Sequence, residues 1–200
     1  MRRMRDVCAA ILPWLPVSLS VYFLFRFVPP YRAVLLLFAL LSHEGGHIAA
    51  FFLLGAGVPR IRPVSGGFRI AAPTPLSYRG ELLVALAGPA AGLIPGAFLL
   101  LFGAFCPYAA EAGWIFLGTG LSNLIPIADH DGGRALFCLL APRIGTAKGE
   151  RVAAFLSYLS LFVSLSLSFS LLYAFGAGFY FTVFCLFSLL SHPLPGDNFF

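Results

Sequence analysis

Leu41-Ser42-His43-Glu44-Gly45-Gly46-His47 is bordered by unbroken apolar chain, Ala33–Leu40 before it and Ile48–Leu54 after it. On a helix, His43 and His47 lie four residues apart on one face, close enough to grip one metal ion. Glu44 stands one step round, where it is free to work on a metal-bound water instead of binding the metal. The run 33–54 covers roughly 33 Å as a helix, enough for the hydrocarbon core of a bilayer. Each charged group placed there costs about 2.5 to 3.5 kcal/mol on insertion scales. Ionisable groups in such a run are therefore read as functional by default. One stretch thus predicts both a membrane-spanning helix and most of a metal site.

The composition agrees. The chain has 200 residues, 60% hydrophobic and only 10% charged, against about 25% charged in a soluble domain. Mean hydropathy is +0.91. The expected class is an all-α, multi-pass membrane protein, a single domain over 1–200 with no room for a large soluble unit. The net charge of +5 sits on basic residues scattered at segment ends, which suits membrane orientation and not nucleic acid. Cys8, Cys106, Cys138 and Cys185 are far apart. They make neither a disulfide framework nor a zinc ribbon and read as small apolar residues.

About six spans follow from the apolar stretches. Ala9–Val28 is long for a signal peptide and is followed by Pro29-Pro30 instead of a cleavage site, so it reads as an uncleaved first span. The second span is Ala33–Leu54. Gly55–Ser77, dense in glycine and proline, cannot be a long helix. Its middle, Gly67-Phe68-Arg69-Ile70, fits a short hairpin or a plain loop, and a strand edge there could pair with an extended peptide. Leu82–Phe105 is the third span, with Gly88, Gly92 and Gly96 forming a smooth stripe for a close neighbour. Ala112–Ile127 is a short fourth span broken at Pro126. Arg134–Arg151 reads as a basic linker. The apolar stretch 152–190 is long enough for two further spans that turn near Gly176-Ala177-Gly178. The serines of the fifth span (Ser157 to Ser170) read as backbone-bonding or helix-gluing groups.

Six spans put the head and the loops after spans two and four on one side. That side holds eleven of the thirteen basic residues; only Arg26 and Arg32 fall elsewhere. The positive-inside rule makes it the cytoplasm and puts the N-terminus there. His43 and His47 then lie roughly 15 to 21 Å into the membrane, in its cytoplasmic half. Asp131, 19 residues past the start of span four, falls near its cytoplasmic end, on the same side of the membrane. A catalytic zinc needs a third protein ligand and one open position. The cluster Asp129-His130-Asp131 offers three candidates at that end, and Gly132-Gly133 lets the backbone turn freely.

His43-Glu44-Gly45-Gly46-His47, taken with Asn123-Leu124-Ile125-Pro126-Ile127-Ala128-Asp129-His130-Asp131-Gly132-Gly133-Arg134, resembles the two signatures of the site-2 proteases, intramembrane zinc metalloproteases. Asn123, Pro126, Asp131 and Gly132 fall in register with the second signature. Gly66-Gly67 and Ala87-Gly88-Pro89 extend the resemblance over about 33–140, and the small plan is similar to the stage IV sporulation branch of bacteria. The resemblance implies that Asp131 is the third zinc ligand beside His43 and His47. It makes Glu44 the general base, and Asn123 a contact for the substrate backbone or the developing oxyanion. Two positions depart from the pattern. Gly92 stands where the family often has Asn, which favours packing there, and Asp129 replaces a common Pro. Neither a PDZ-like insertion nor a nucleotide-binding domain fits the lengths.

The implied function is zinc-dependent cleavage of membrane-embedded or membrane-proximal protein segments in a bacterial cell membrane, with one Zn2+ per chain. The implied partners are the lipid bilayer, a single-span protein or membrane-tethered transcription factor as substrate, and a regulatory membrane protein. The rival class is an inactive member or a metal-binding or transport protein. Transporters spread ligands along a path, whereas this chain concentrates them at one depth.

Overall fold

The computed structural model describes residues 22, 25–57, 60–64, 67–71, 74–128, 130–175 and 185. Most of the expected first span, the expected sixth span apart from Cys185, and Asp129 fall outside them. The described residues form helix α1 (Pro30–Leu53), a hairpin of β1 (Arg60–Val64) and β2 (Gly67–Ala71), then α2 (Tyr78–Leu101), α3 (Pro107–Leu124), α4 (Asp131–Ile144) and α5 (Thr146–Phe175). Three of the helices, α1, α2 and α5, are long and apolar enough to cross a membrane. Apart from the hairpin, the regular structure among the described residues is helical, as suits a membrane chain.

Helix boundaries follow local chemistry. Pro30 opens α1 and Pro107 opens α3, positions where the missing N–H costs nothing. Ser77 caps α2 by accepting the Gly80 N–H at 3.3 Å, and Glu81 in the first turn suits the positive end of the helix. That cap starts α2 ahead of the expected Leu82. The fourth expected span, 112–127, is displaced to Pro107–Leu124. It stops before Pro126 because the residue preceding a proline leaves the helical region, and Ile125 is extended with φ −60° and ψ 130°. The supposed basic linker is in fact α4 and the first turns of α5, separated by Gly145 with φ 85°. The segment 67–71 is a strand, paired antiparallel with β1 so that Arg62 opposes Arg69 and Val64 opposes Gly67.

Helix α2 is the hub, packing against α1, α3 and α4. Its glycine stripe is what brings the neighbours close. A Cβ on Gly92 would meet the Phe116 carbonyl at 3.0 Å, and one on Gly96 would meet the Leu117 N–H at 2.8 Å. Gly113 and Gly120 answer from α3, against the Gly96 and Pro89 carbonyls. Gly92 therefore serves packing. Between α1 and α2 the contact is equally bare: a Cβ on Gly46 would sit 2.4 Å from the Ala87 carbonyl. A buried cluster of Ala50, Phe51, Ala56 and Val84 closes that seam at one end. Polar bonds complete it. Pro95 has no N–H for the Ala91 carbonyl, and the Ser42 hydroxyl of α1 donates to that carbonyl at 2.9 Å. The serines of α5 behave as glue and back-bonds. Ser157 accepts the Ala128 N–H at 2.7 Å, and Ser170 donates to the Ser166 carbonyl one turn back.

Candidate metal centre

Helix α1 delivers two imidazoles to one place. His43 and His47 are both buried. Their rings meet edge to face, with centroids 4.9 Å apart and planes at 86°. Their Nε2 atoms lie 3.2 Å apart. Helix α4 delivers the third group. Asp131 Oδ2 is 2.9 Å from His43 Nε2 and 3.2 Å from His47 Nε2. Among the described residues, these three offer ligand atoms all within 4.8 Å of one another. The structure thus selects Asp131, at N1 of α4, as the partner of the histidines. His130, its N-cap neighbour, is buried but outside that group.

The triangle fits a divalent ion better than it fits hydrogen bonding. His47 Nδ1 is 2.8 Å from the Val84 carbonyl. A carbonyl only accepts, so Nδ1 carries the proton, and a neutral His47 turns the lone pair of Nε2 toward Asp131. Two lone-pair atoms 3.2 Å apart repel unless a cation or a proton lies between them. Asp131 Oδ2 is itself buried and lies close to both rings without a well-aligned hydrogen bond among the described residues. Bonds of about 2.0 to 2.1 Å at tetrahedral angles put ligand atoms ~3.3 Å apart. The observed edges of 2.9, 3.2 and 3.2 Å are close to that spacing. Two nitrogens and one oxygen also suit zinc chemically. His43, His47 and Asp131 could therefore hold such an ion with a fourth position open.

Several supports are invisible in the motif itself. The Val84 carbonyl fixes the tautomer and direction of His47, the usual task of a group behind a metal ligand. It is reachable because residue 88, one turn on, has no side chain. A helical side chain leans back over the preceding turn, and a Cβ on Gly88 would lie 2.2 Å from His47 Nε2. Gly88 was legible as part of a stripe, yet its neighbour is an imidazole and not a helix. Gly132 and Gly133 let α4 begin hard against the preceding turn: Cβ atoms there would meet the Leu124 and Ile127 carbonyls at 2.1 Å. Gly45 and Gly46 part company. Gly46 is filled by α2, and Gly45 has nothing within 4 Å of a Cβ position, so only Gly45 leaves bare helix. Glu44 follows His43 on α1 and is partly buried. Asn123, in the last turn of α3, donates Nδ2 to the Thr119 carbonyl at 3.0 Å.

No protein-family model matches the chain. A zinc metalloprotease of Methanocaldococcus jannaschii is 30% identical over 130 residues, which is 60% of this chain and 38% of that protein. The match thus spans well under half the length of that relative. The solved structure of the site-2 protease from Methanocaldococcus jannaschii superimposes with a TM-score of 0.60 at 22% identity, covering 95% of this chain and 92% of that one. The shared fold is that of a site-2 protease, and both findings bear out the resemblance to that family. Neither bears on the sporulation branch.

Proposed function

We propose that this chain is a zinc-dependent intramembrane endopeptidase that cuts membrane-embedded or membrane-proximal segments of protein substrates. The observation that carries the reading is the His43–His47–Asp131 triangle, with Glu44 as the next residue on α1. A zinc ion held there would supply a Lewis acid for the peptide carbonyl and a water acidic enough to deprotonate near neutral pH. Everything else falls to the chain. The Glu44 carboxylate takes a proton from the attacking water and returns it to the leaving amine nitrogen, so one water is consumed per peptide bond broken. Asn123 keeps one amide N–H beyond the one given to Thr119, and that N–H is offered to the substrate backbone or the oxyanion.

The substrate must present an extended segment, because a helix hides its carbonyls. The hairpin edge of β1–β2 and the bare surface at Gly45 suit such a strand. The catalytic core is 33–140 within one membrane domain. Its active site lies in the cytoplasmic half of a bacterial cell membrane, with the N-terminus in the cytoplasm. Its substrates are single-span proteins or membrane-tethered transcription factors, under the control of a regulatory membrane protein. The deciding experiment is Glu44→Gln. The variant retains zinc and loses cleavage by about a hundredfold or more, and its cells accumulate uncut single-span proteins in the membrane proteome. A Glu44→Gln chain that cuts as fast as the wild type, or a membrane proteome indistinguishable from wild type, refutes the proposal.

A further inference from the structure

Helix α2 carries none of the three proposed ligands, yet one of its faces touches both ligand-bearing helices. Glu81, Val84 and Gly88 recur at three and four residues, so they share that face. The Val84 carbonyl holds His47 Nδ1, and Gly88 receives the imidazole ring. Glu81, one turn earlier, forms an ion pair with Arg134 of α4. Arg134 is three residues past Asp131. The two residues between are glycines that press backbone to backbone on Leu124 and Ile127. Arg134 is therefore the first side chain after Asp131 by which α4 can be gripped. Arg134 Nη2 donates to Glu81 Oε2, a charge-assisted hydrogen bond and so a directional link as well as a charge contact.

We infer that the Glu81–Arg134 pair is a positioning device for the metal centre, setting where Asp131 Oδ2 stands relative to His43 and His47. This rests on the metal-site reading above. The first turns of α2, ahead of Pro89, hold His47 at Val84 and Gly88 and hold the start of α4 at Glu81. The spacing between ligands from two different helices is thereby referred to a third. Metal sites tolerate errors of only about 0.2 Å in ligand placement, so a slackened α4 weakens binding long before it unfolds the chain. The pair is partly exposed, with side chains at 24% and 35%. Such a pair adds little to global stability, so its effect is read on the metal and not on the fold.

The test uses the full chain in lipid nanodiscs. Zn2+ is titrated in competition with a chromophoric chelator, and Co2+ absorption reports coordination geometry. Glu81→Gln and Arg134→Gln each bind Zn2+ about 10 to 100-fold more weakly than wild type and show altered Co2+ bands, with unchanged helix content. Arg134→Lys, which keeps the charge and loses the guanidinium, falls between. The exchanged double variant Glu81→Arg/Arg134→Glu regains most of the affinity. Arg32→Gln breaks a comparable ion pair with Glu111 at the start of α1 and leaves Zn2+ affinity unchanged. Wild-type affinity in both Glu81→Gln and Arg134→Gln overturns the inference, as does a double variant as weak as the singles. So does an equal loss in Arg32→Gln, which would mark a general loosening. Should Arg134→Gln fail to fold, Glu81→Gln and Arg134→Lys decide alone. If His43→Ala binds Zn2+ as well as wild type, the metal-site reading itself fails, and the positioning role falls with it.

Discussion

His47 is held from two sides by things that are not side chains, a backbone carbonyl at Val84 and an absent Cβ at Gly88. This makes Gly88→Ala an unusually clean test. Alanine favours a helix over glycine by about 1 kcal/mol, so the helix itself is not weakened. The atom in the way, however, is the tip of the His47 ring, 2.2 Å from the new methyl. The ring swings out and the ligand is lost. The expected result is a chain with wild-type thermal stability and at least tenfold lower zinc affinity, measured by chelator competition; unchanged affinity would show that the cradle is dispensable. The two proposed ligands from α1 were legible in the sequence because a helix turns four residues of spacing into one face. Asp131 was legible only as one of three neighbours, and the family pattern chose among them. Val84 and Gly88 were not legible, since a carbonyl carries no residue signal and the contact spans 41 positions from residue 47 to residue 88.

At the scale of helices, adjacent glycines on α1 do opposite things. Gly46 faces the Ala87 carbonyl, which is backbone and cannot step aside. Gly46→Ala pushes α1 and α2 apart and costs about 1 to 3 kcal/mol. Gly45→Ala meets open space and is neutral, or gains up to about 1 kcal/mol. Unfolding titrations of both variants in mixed micelles check the contrast; equal stabilities would deny that the α1–α2 seam is closed at Gly46. The long apolar spans around residues 33–54 and 82–105 were readable because a bilayer demands length and hydropathy, both plain in sequence. Helix α4 was not. Its buried residues are Gly132, Gly133, Ala135, Cys138 and Ala141, too small to print an apolar stripe, and its Pro142 and basic end resemble a linker. The strand at 67–71 was visible as one of two options, and its pairing with Arg60–Val64 is a tertiary fact.

Over the whole chain, polar clamps sit at helix starts. Arg32 of α1 pairs with Glu111 of α3, and Tyr31 donates to the same carboxylate at 3.1 Å. Glu81 of α2 pairs with Arg134 of α4. The first pair lies on the outer side and the second on the cytoplasmic side in the proposed orientation. On the proposed orientation, Cys106, exposed at the start of α3, faces outward. In a Cys8→Ser, Cys185→Ser background, a membrane-impermeant maleimide labels Cys106 in intact cells. Cys138 stays unlabelled at neutral pH. It is buried in α4, and burial pushes its thiol up, so thiolate accumulates only as the pH becomes more alkaline. Labelling of Cys106 only after permeabilisation would reverse the orientation.

The dependence of the site on α2 has a consequence for how the protein is made. Synthesis runs from the N-terminus, so α1 enters the bilayer before α2 exists. In that interval the Ser42 hydroxyl lacks its Ala91 carbonyl and His47 lacks Val84. A nascent chain halted there has its Ser42 hydroxyl turned back on its own helix and its His47 imidazole without the α2 carbonyl, the costlier of the two in lipid. Completion of α2 ends that exposure, and only the arrival of α4 adds Asp131. The order of the helices along the chain thus separates the burial of His47 from the moment at which the proposed metal centre can first form.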